Sequence, residues 1–190
     1  MSEGFEGKIR EALTRLHGRA SLIAVCPPEK LEALRMFAVK ELLSGGGNGI
    51  YVSLSKPYSA VNHALNASGV KTENLFYIDC ITTLVHYGKP DRMNPRVFHV
   101  SSPDSVALEG LLPEEIKAFI VRVPKPAFII VDTLRTLELY NTPETVISFL
   151  RELAKIAADM EAKLVVITIS HPHDRVIKNA LPLFDVMLTL

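Results

Sequence analysis

"AFIIVDTLRTLELYNTPETVISFLRELAKIAADMEAKLVVITIS", residues 127–170, holds two apolar runs separated by a long amphipathic segment. The first run, AFIIVD (127–132), is strand-sized and lacks polar alternation, so it reads as a strand buried on both faces. Thr142-Pro143 then supplies a hydroxyl cap and a proline at the first helical position, and Val146, Leu150, Leu153, Ala157 and Met160 recur behind it at helical spacing. KLVVITIS (163–170) is a second buried strand. A strand, a crossover helix and another strand make a parallel unit, and this sets the fold class.

The same alternation extends both ways. Phe5, Ile9, Ala12, Leu13 and Leu16 predict an opening helix that ends at Gly18, and Leu22 to Cys26 reads as a buried strand. Pro27 and Pro28 suit the first turn of a helix whose apolar stripe is Leu31, Leu34, Phe37, Ala38 and Leu42, and the Gly45-Gly46-Gly47-Asn48-Gly49 run ends it. Ile50 to Leu54 follows as a strand, a helix runs from Pro57 to Gly69, and LFYIDC (75–80) is the next strand. Pro113 to Val121 predicts a helix, Pro172 to Leu181 a short one, and DVMLTL (185–190) the sixth strand. Residues 82–113 carry Gly88, Pro90, Pro95, Pro103 and Gly110 and only one brief β-like run, Val97 to Val100, so they predict an irregular excursion over the end of the sheet. The expected architecture is a single α/β domain over 1–190, with residues 1–18 as an N-terminal helix. It has three layers: a mostly parallel central sheet with helices on both faces.

Composition narrows the function classes. Twenty-one lysines and arginines balance twenty-one aspartates and glutamates, so no global field draws nucleic acid or an anionic membrane surface. Tryptophan is absent, which leaves little support for a base-stacking platform. The apolar runs are far shorter than a membrane span, and the charged start (Glu3, Glu6, Lys8, Arg10) does not read as a secretion signal. Cys26 and Cys80 close apolar runs and read as packed thiols in a reducing, cytoplasmic setting.

In parallel sheets ligands gather beyond the carboxyl ends of the strands, which here means Pro27 to Lys30, Ser55 and Lys56, Asp79 and Cys80, Asp132 and Thr133, and Ser170 to Asp174. Asp132 has two readings: magnesium positioning through water, or a strand-end carboxylate capping nearby N–H groups. Asp79 reads as a loop-capping carboxylate. His171, His173 and Asp174 have metal-ligand chemistry but supply only part of a three- or four-ligand set; the alternative is a polar corner or a helix start with Asp174 in its first turn. His63, His86 and His99 stand alone with no nucleophile spaced to suggest a triad, and Lys89, Arg92 and Arg96 read as a solvated basic loop.

The order and wording of these pieces resemble the RecA-like ATPases of the KaiC branch over residues 21–190. GIYVSLS (49–55), LFYIDCIT (75–82) and above all 127–170 look like successive strands of that family, with Asp132-Thr133 at its Walker B position. The resemblance implies nucleotide contacts, vestigial or weak here, at Pro28, Glu29, Lys30, Asp132, Thr133, Ser170 and His171, the last two where the family senses a γ-phosphate. Yet CPPEKLEAL (26–34) has no glycine with which to wrap phosphates, and the family's lysine and hydroxyl positions fall near Glu32 and Ala33. A carboxylate in place of that cation turns attraction into repulsion, on the order of several kcal/mol at short range. Ser55 and Lys56 stand where the family carries glutamates that polarise water. The resemblance therefore implies a non-catalytic regulatory or scaffolding domain that uses no cofactor. It would work by self-association or by binding an active relative, with 82–113 and TLRTLELYN (133–141) as contact surfaces. The alternative is an ATPase with a non-standard phosphate loop, taking ATP with magnesium at Asp132.

Overall fold

The computed structural model describes residues 2–85, 94–101, 112–169 and 175–190. In chain order the elements are α1 (Ser2–Thr14), β1 (Ser21–Cys26), a 3-10 turn (Pro28–Lys30), α2 (Leu31–Ser44), β2 (Asn48–Ser53), α3 (Tyr58–Ala67), β3 (Leu75–Asp79), α4 (Thr82–Val85) and β4 (Val97–His99). They continue with α5 (Glu114–Arg122), β5 (Pro126–Asp132), α6 (Leu134–Tyr140), α7 (Pro143–Asp159), β6 (Lys163–Ile169), α8 (Arg175–Ala180) and β7 (Val186–Thr189). Among the described residues the strands form one sheet in the order β4-β3-β2-β5-β6-β1-β7, and every neighbouring pair is parallel.

Apolar residues on both strand faces make two cores. On one face α1, α2 and α3 bring Ile9, Leu16, Leu34, Val39 and Leu65 onto Ala24, Tyr51, Phe128 and Ile167. On the other, α5 to α8 bring Ile120, Leu137, Leu153 and Ile177 onto Ile23, Val52, Val131 and Val166. Crossovers from β2 lead away to β3 and those from β5 lead the opposite way to β6, so the two chains part at the carboxyl ends of β2 and β5. That divergence opens the crevice in which doubly wound sheets place ligands.

The expected α/β architecture, a mostly parallel sheet with helices on both faces, is present, with four differences of detail. The sheet is wholly parallel among the described strands, and the Val97 run is a seventh strand that extends its edge, so this part of 82–113 joins the sheet and does not pass over its end. Pro27-Pro28 leads into a 3-10 turn before α2 begins. TLRTLELYN contains a helix, α6, which is too short to show a helical period in sequence. The buried stripe of α2 is Leu34, Arg35, Ala38, Val39 and Leu42; Leu31 and Phe37 are only half-buried. The start of α7 is as read: the Thr142 hydroxyl accepts from the Thr145 N–H at 3.2 Å, with Pro143 in the first turn.

Gly49 of β2 lies opposite Phe128 of β5, and the phenyl ring covers it so closely that any Cβ would overlap the ring. Gly49→Ala is expected to lower stability by about 1–3 kcal/mol through overpacking. Gly45→Ala, whose Cβ meets only the Leu42 carbonyl at 3.4 Å, serves as the tolerated control. Urea-unfolding midpoints of the two variants check this.

Candidate functional site

The crevice at the ends of β2 and β5 is built around Asp132. Its side chain is wholly buried, and it faces α2, as do Phe128 and Ile130 on the same strand. Arg35 enters from α2, itself 2 % exposed. Its Nη2 donates to Asp132 Oδ1 at 2.9 Å and its Nε to Oδ2, a bidentate fork. The Tyr51 hydroxyl donates to the same Oδ2 from the neighbouring strand. Toward solvent, Arg35 Nη1 donates to Glu32 Oε2, which also accepts from Lys56 Nζ at 2.7 Å. Asp132, Arg35, Glu32 and Lys56 thus form a chain of alternating charge from the core to the rim.

The electrostatics follow. Burial works against the Arg35 guanidinium, but the hydrogen bond and charge of Asp132 outweigh it and raise its proton affinity further. Burial, followed by the Asp132 charge, pushes the Tyr51 hydroxyl far up, so Tyr51 stays a donor. Burial also raises the Glu32 carboxyl, yet the Lys56 hydrogen bond and the Arg35 and Lys56 charges prevail and hold it below the usual carboxylate range. Cys26 is pushed up to about 11 by burial and then by Asp132. Cys80 is pushed well up by burial, and both thiols are packed groups rather than nucleophiles.

The residues singled out in the sequence are distributed as follows. Asp132 does not cap N–H groups, as one reading expected; side-chain donors occupy both of its oxygens. The peptide after it is cis, and Thr133 leads extended into α6 with its Oγ1 3.5 Å from Thr136 Oγ1. Pro28, Glu29 and Lys30 form the 3-10 turn. Glu29 and Lys30 line a cleft of about 680 Å³ against α1, where Lys30 Nζ lies 5.8 Å from the Phe5 ring centre. Ala33 lines the same cleft. Ser55 is half-buried, with its hydroxyl sealed and unpaired. Asp79 is the expected cap: it accepts from the backbone N–H groups of Tyr58, Ile81 and Thr82 at 3.0, 2.9 and 3.0 Å. The Arg96 guanidinium, half-buried, donates to the carbonyls of Thr72 and Glu73 at 3.1 and 2.7 Å. Ser170, His171, His173, Asp174, His86, Lys89 and Arg92 lie outside the described residues.

Arg35 and Tyr51 were not singled out in the sequence, although Arg35 carried a signal. It falls four residues after Leu31 and three before Ala38, within the stripe that α2 buries. A buried guanidinium demands a buried acid, and few acids stand at strand ends.

No protein-family model and no curated protein matches the chain. Among solved structures it is similar to a KaiC-like protein of the hyperthermophilic archaeon Pyrococcus horikoshii OT3, at 11% identity and a TM-score of 0.60 over 91% of this chain and 72% of that one. At that identity the likeness is one of fold: this chain has a RecA/KaiC-like α/β sheet. No helix among the described residues is long and apolar enough to cross a membrane.

Arg35→Met strands a buried carboxylate and is expected to cost about 3–5 kcal/mol. In a double-mutant cycle with Asp132→Asn the coupling should reach at least about 1.5 kcal/mol by chemical denaturation, and additive losses would contradict the pairing. Glu32 has the opposite exposure and a pH signature. Because its folded proton affinity is depressed, its contribution is present above the ordinary glutamate pKa of about 4.3 and is lost as pH falls through the lower folded value. Stability measured against pH should therefore fall less steeply on the acid side in Glu32→Gln than in the unaltered chain.

Proposed function

We propose that this chain is a RecA/KaiC-like domain without catalysis, a regulatory or scaffolding subunit that works by self-association or by binding an active relative. The observation that carries this reading is the state of Asp132, whose two oxygens are satisfied by the protein's own Arg35 and Tyr51. A strand-end carboxylate holds magnesium usefully only together with substrate phosphates, and a phosphate-wrapping loop needs glycines and a cation. The turn before α2 has no glycine, and its Lys30 lines the cleft against α1. Glu29 and Glu32 bring negative charge to the start of α2, and Arg35 and Tyr51 take up both oxygens of Asp132. The residues do not fit a magnesium nucleotide.

A contact surface has a counterpart in the helix that follows Asp132. At the end of α6, Leu139 is 68% and Tyr140 52% exposed, side by side and apolar, while Leu134 and Leu137 anchor the helix in the core. Large exposed apolar side chains on a rigid element suit protein contact better than solvent.

Calorimetric titration with ATP and with ADP, each with magnesium, alongside the solution mass by light scattering, tests the reading. The expected result is no saturable nucleotide heat and a mass above that of one chain, reduced in the Leu139→Asp/Tyr140→Asp variant. Micromolar, magnesium-dependent nucleotide binding would overturn it.

A further inference from the structure

Asp79 closes β3 under heavy constraint. Besides the backbone N–H groups of Tyr58, Ile81 and Thr82 it accepts from the Thr82 hydroxyl, so one carboxylate ties the starts of α3 and α4 to the end of the strand. The sheet register sets His99 of β4 directly beside it. The His99 side chain is only 6% exposed, with Nδ1 3.6 Å from Asp79 Oδ2, and neither ring nitrogen has a hydrogen-bond partner among the described residues. The Tyr58 ring packs edge-on at 5.6 Å. Buried polar atoms without partners are rare, because each forfeits its hydrogen bonds to water without replacement.

We propose that His99 is a proton-operated latch that fastens edge strand β4 to the sheet. At 3.6 Å the ring makes no hydrogen bond to Asp79. A neutral ring has one N–H, on either nitrogen; on taking a proton from solvent both nitrogens become donors, so a short closure brings Nδ1–H onto Oδ2 as a charge-assisted bond whichever tautomer preceded it. Imidazole is the side chain whose charge changes in the physiological range. Asp79 is the formal charge that faces the ring among the described residues. Tyr77 of β3 and Tyr58 of α3 are the other titratable groups on that side; α4 offers the uncharged Thr82, and Arg96, just before β4, is held by the Thr72 and Glu73 carbonyls. The strand being fastened is weakly attached. It spans Val97–His99, pairs with β3 alone among the described strands, and is held by bonds such as Val100 N–H to the Asp79 carbonyl at 2.9 Å and Tyr77 N–H to the Arg96 carbonyl at 2.7 Å. One added charged bond joins these ladder bonds, the packing of Phe98 on Phe119 and the two Arg96 bonds to Thr72 and Glu73 as a further hold on the strand.

Amide exchange at Val100 and Tyr77, corrected for its intrinsic pH dependence, is compared by NMR at about pH 5 and about pH 8 while the His99 ring nitrogens are followed across the same range. The expected result is roughly tenfold greater protection of both amides at the lower pH, in step with conversion of the ring to imidazolium, and no such change in His99→Gln. His99→Phe, which keeps a ring against Tyr58, replaces that control if the glutamine variant does not fold. The proposal is overturned if protection stays level while the ring titrates, if the ring does not titrate, or if the variant responds as the unaltered chain does.

Discussion

A guanidinium and a carboxylate, buried together between α2 and the end of β5, set the terms for everything around them. Neither Arg35 nor Asp132 could remain in the core alone, since an unpaired buried charge costs several kcal/mol. Their fork fixes the rotation of α2: with Arg35 turned inward, Leu34, Ala38 and Val39 follow it into the core. Glu32, one turn earlier, is carried to the rim within reach of Lys56 from the chain after β2. One contact in the interior thus decides which face of the helix is apolar and which charges meet at the surface.

The rim pair carries the same logic outward. Glu32 and Lys56, opposite in sign, bond each other at 2.7 Å, and Arg35 Nη1 donates to the same Glu32 oxygen. Together they prolong the alternation of the Arg35 and Asp132 pair, so the charges of this crevice are matched within the chain itself.

The strands were legible because a sheet buried on both faces writes itself as uninterrupted apolar runs, as in FIIVD and LVVITI, and α7 because seventeen residues give several turns of apolar repeat behind a capped proline. α6 was not, since seven residues cover barely two turns and its buried Leu134 and Leu137 fit other readings equally well. β4 showed only as a weak run, because three residues at an edge need little apolar pattern. In the site, Asp132 could be found from its place after a buried strand, whereas its partner could not: Arg35 is separated from it by 97 residues, and pairing across a fold leaves no mark in local spacing.

The two strand-end aspartates show why one reading of a carboxylate succeeded and the other failed. Asp79, Ser53 and Asp132 stand in register across β3, β2 and β5, with His99 beyond Asp79, a polar row on the face that carries Tyr51 and Tyr77. After Asp79 the chain turns within three residues into α4, so backbone N–H groups at Ile81 and Thr82 fold back onto the carboxylate. After Asp132 it continues extended through Thr133, at φ −116° and ψ 144°, and among the described residues the carboxylate takes side-chain donors instead of the N–H groups of α6. A carboxylate deprived of backbone donors must find them on side chains or be protonated. The aromatic and arginine side chains on the same face supply them, and the backbone path after the strand, more than the aspartate itself, determines whether that carboxylate caps a turn or anchors a buried ion pair.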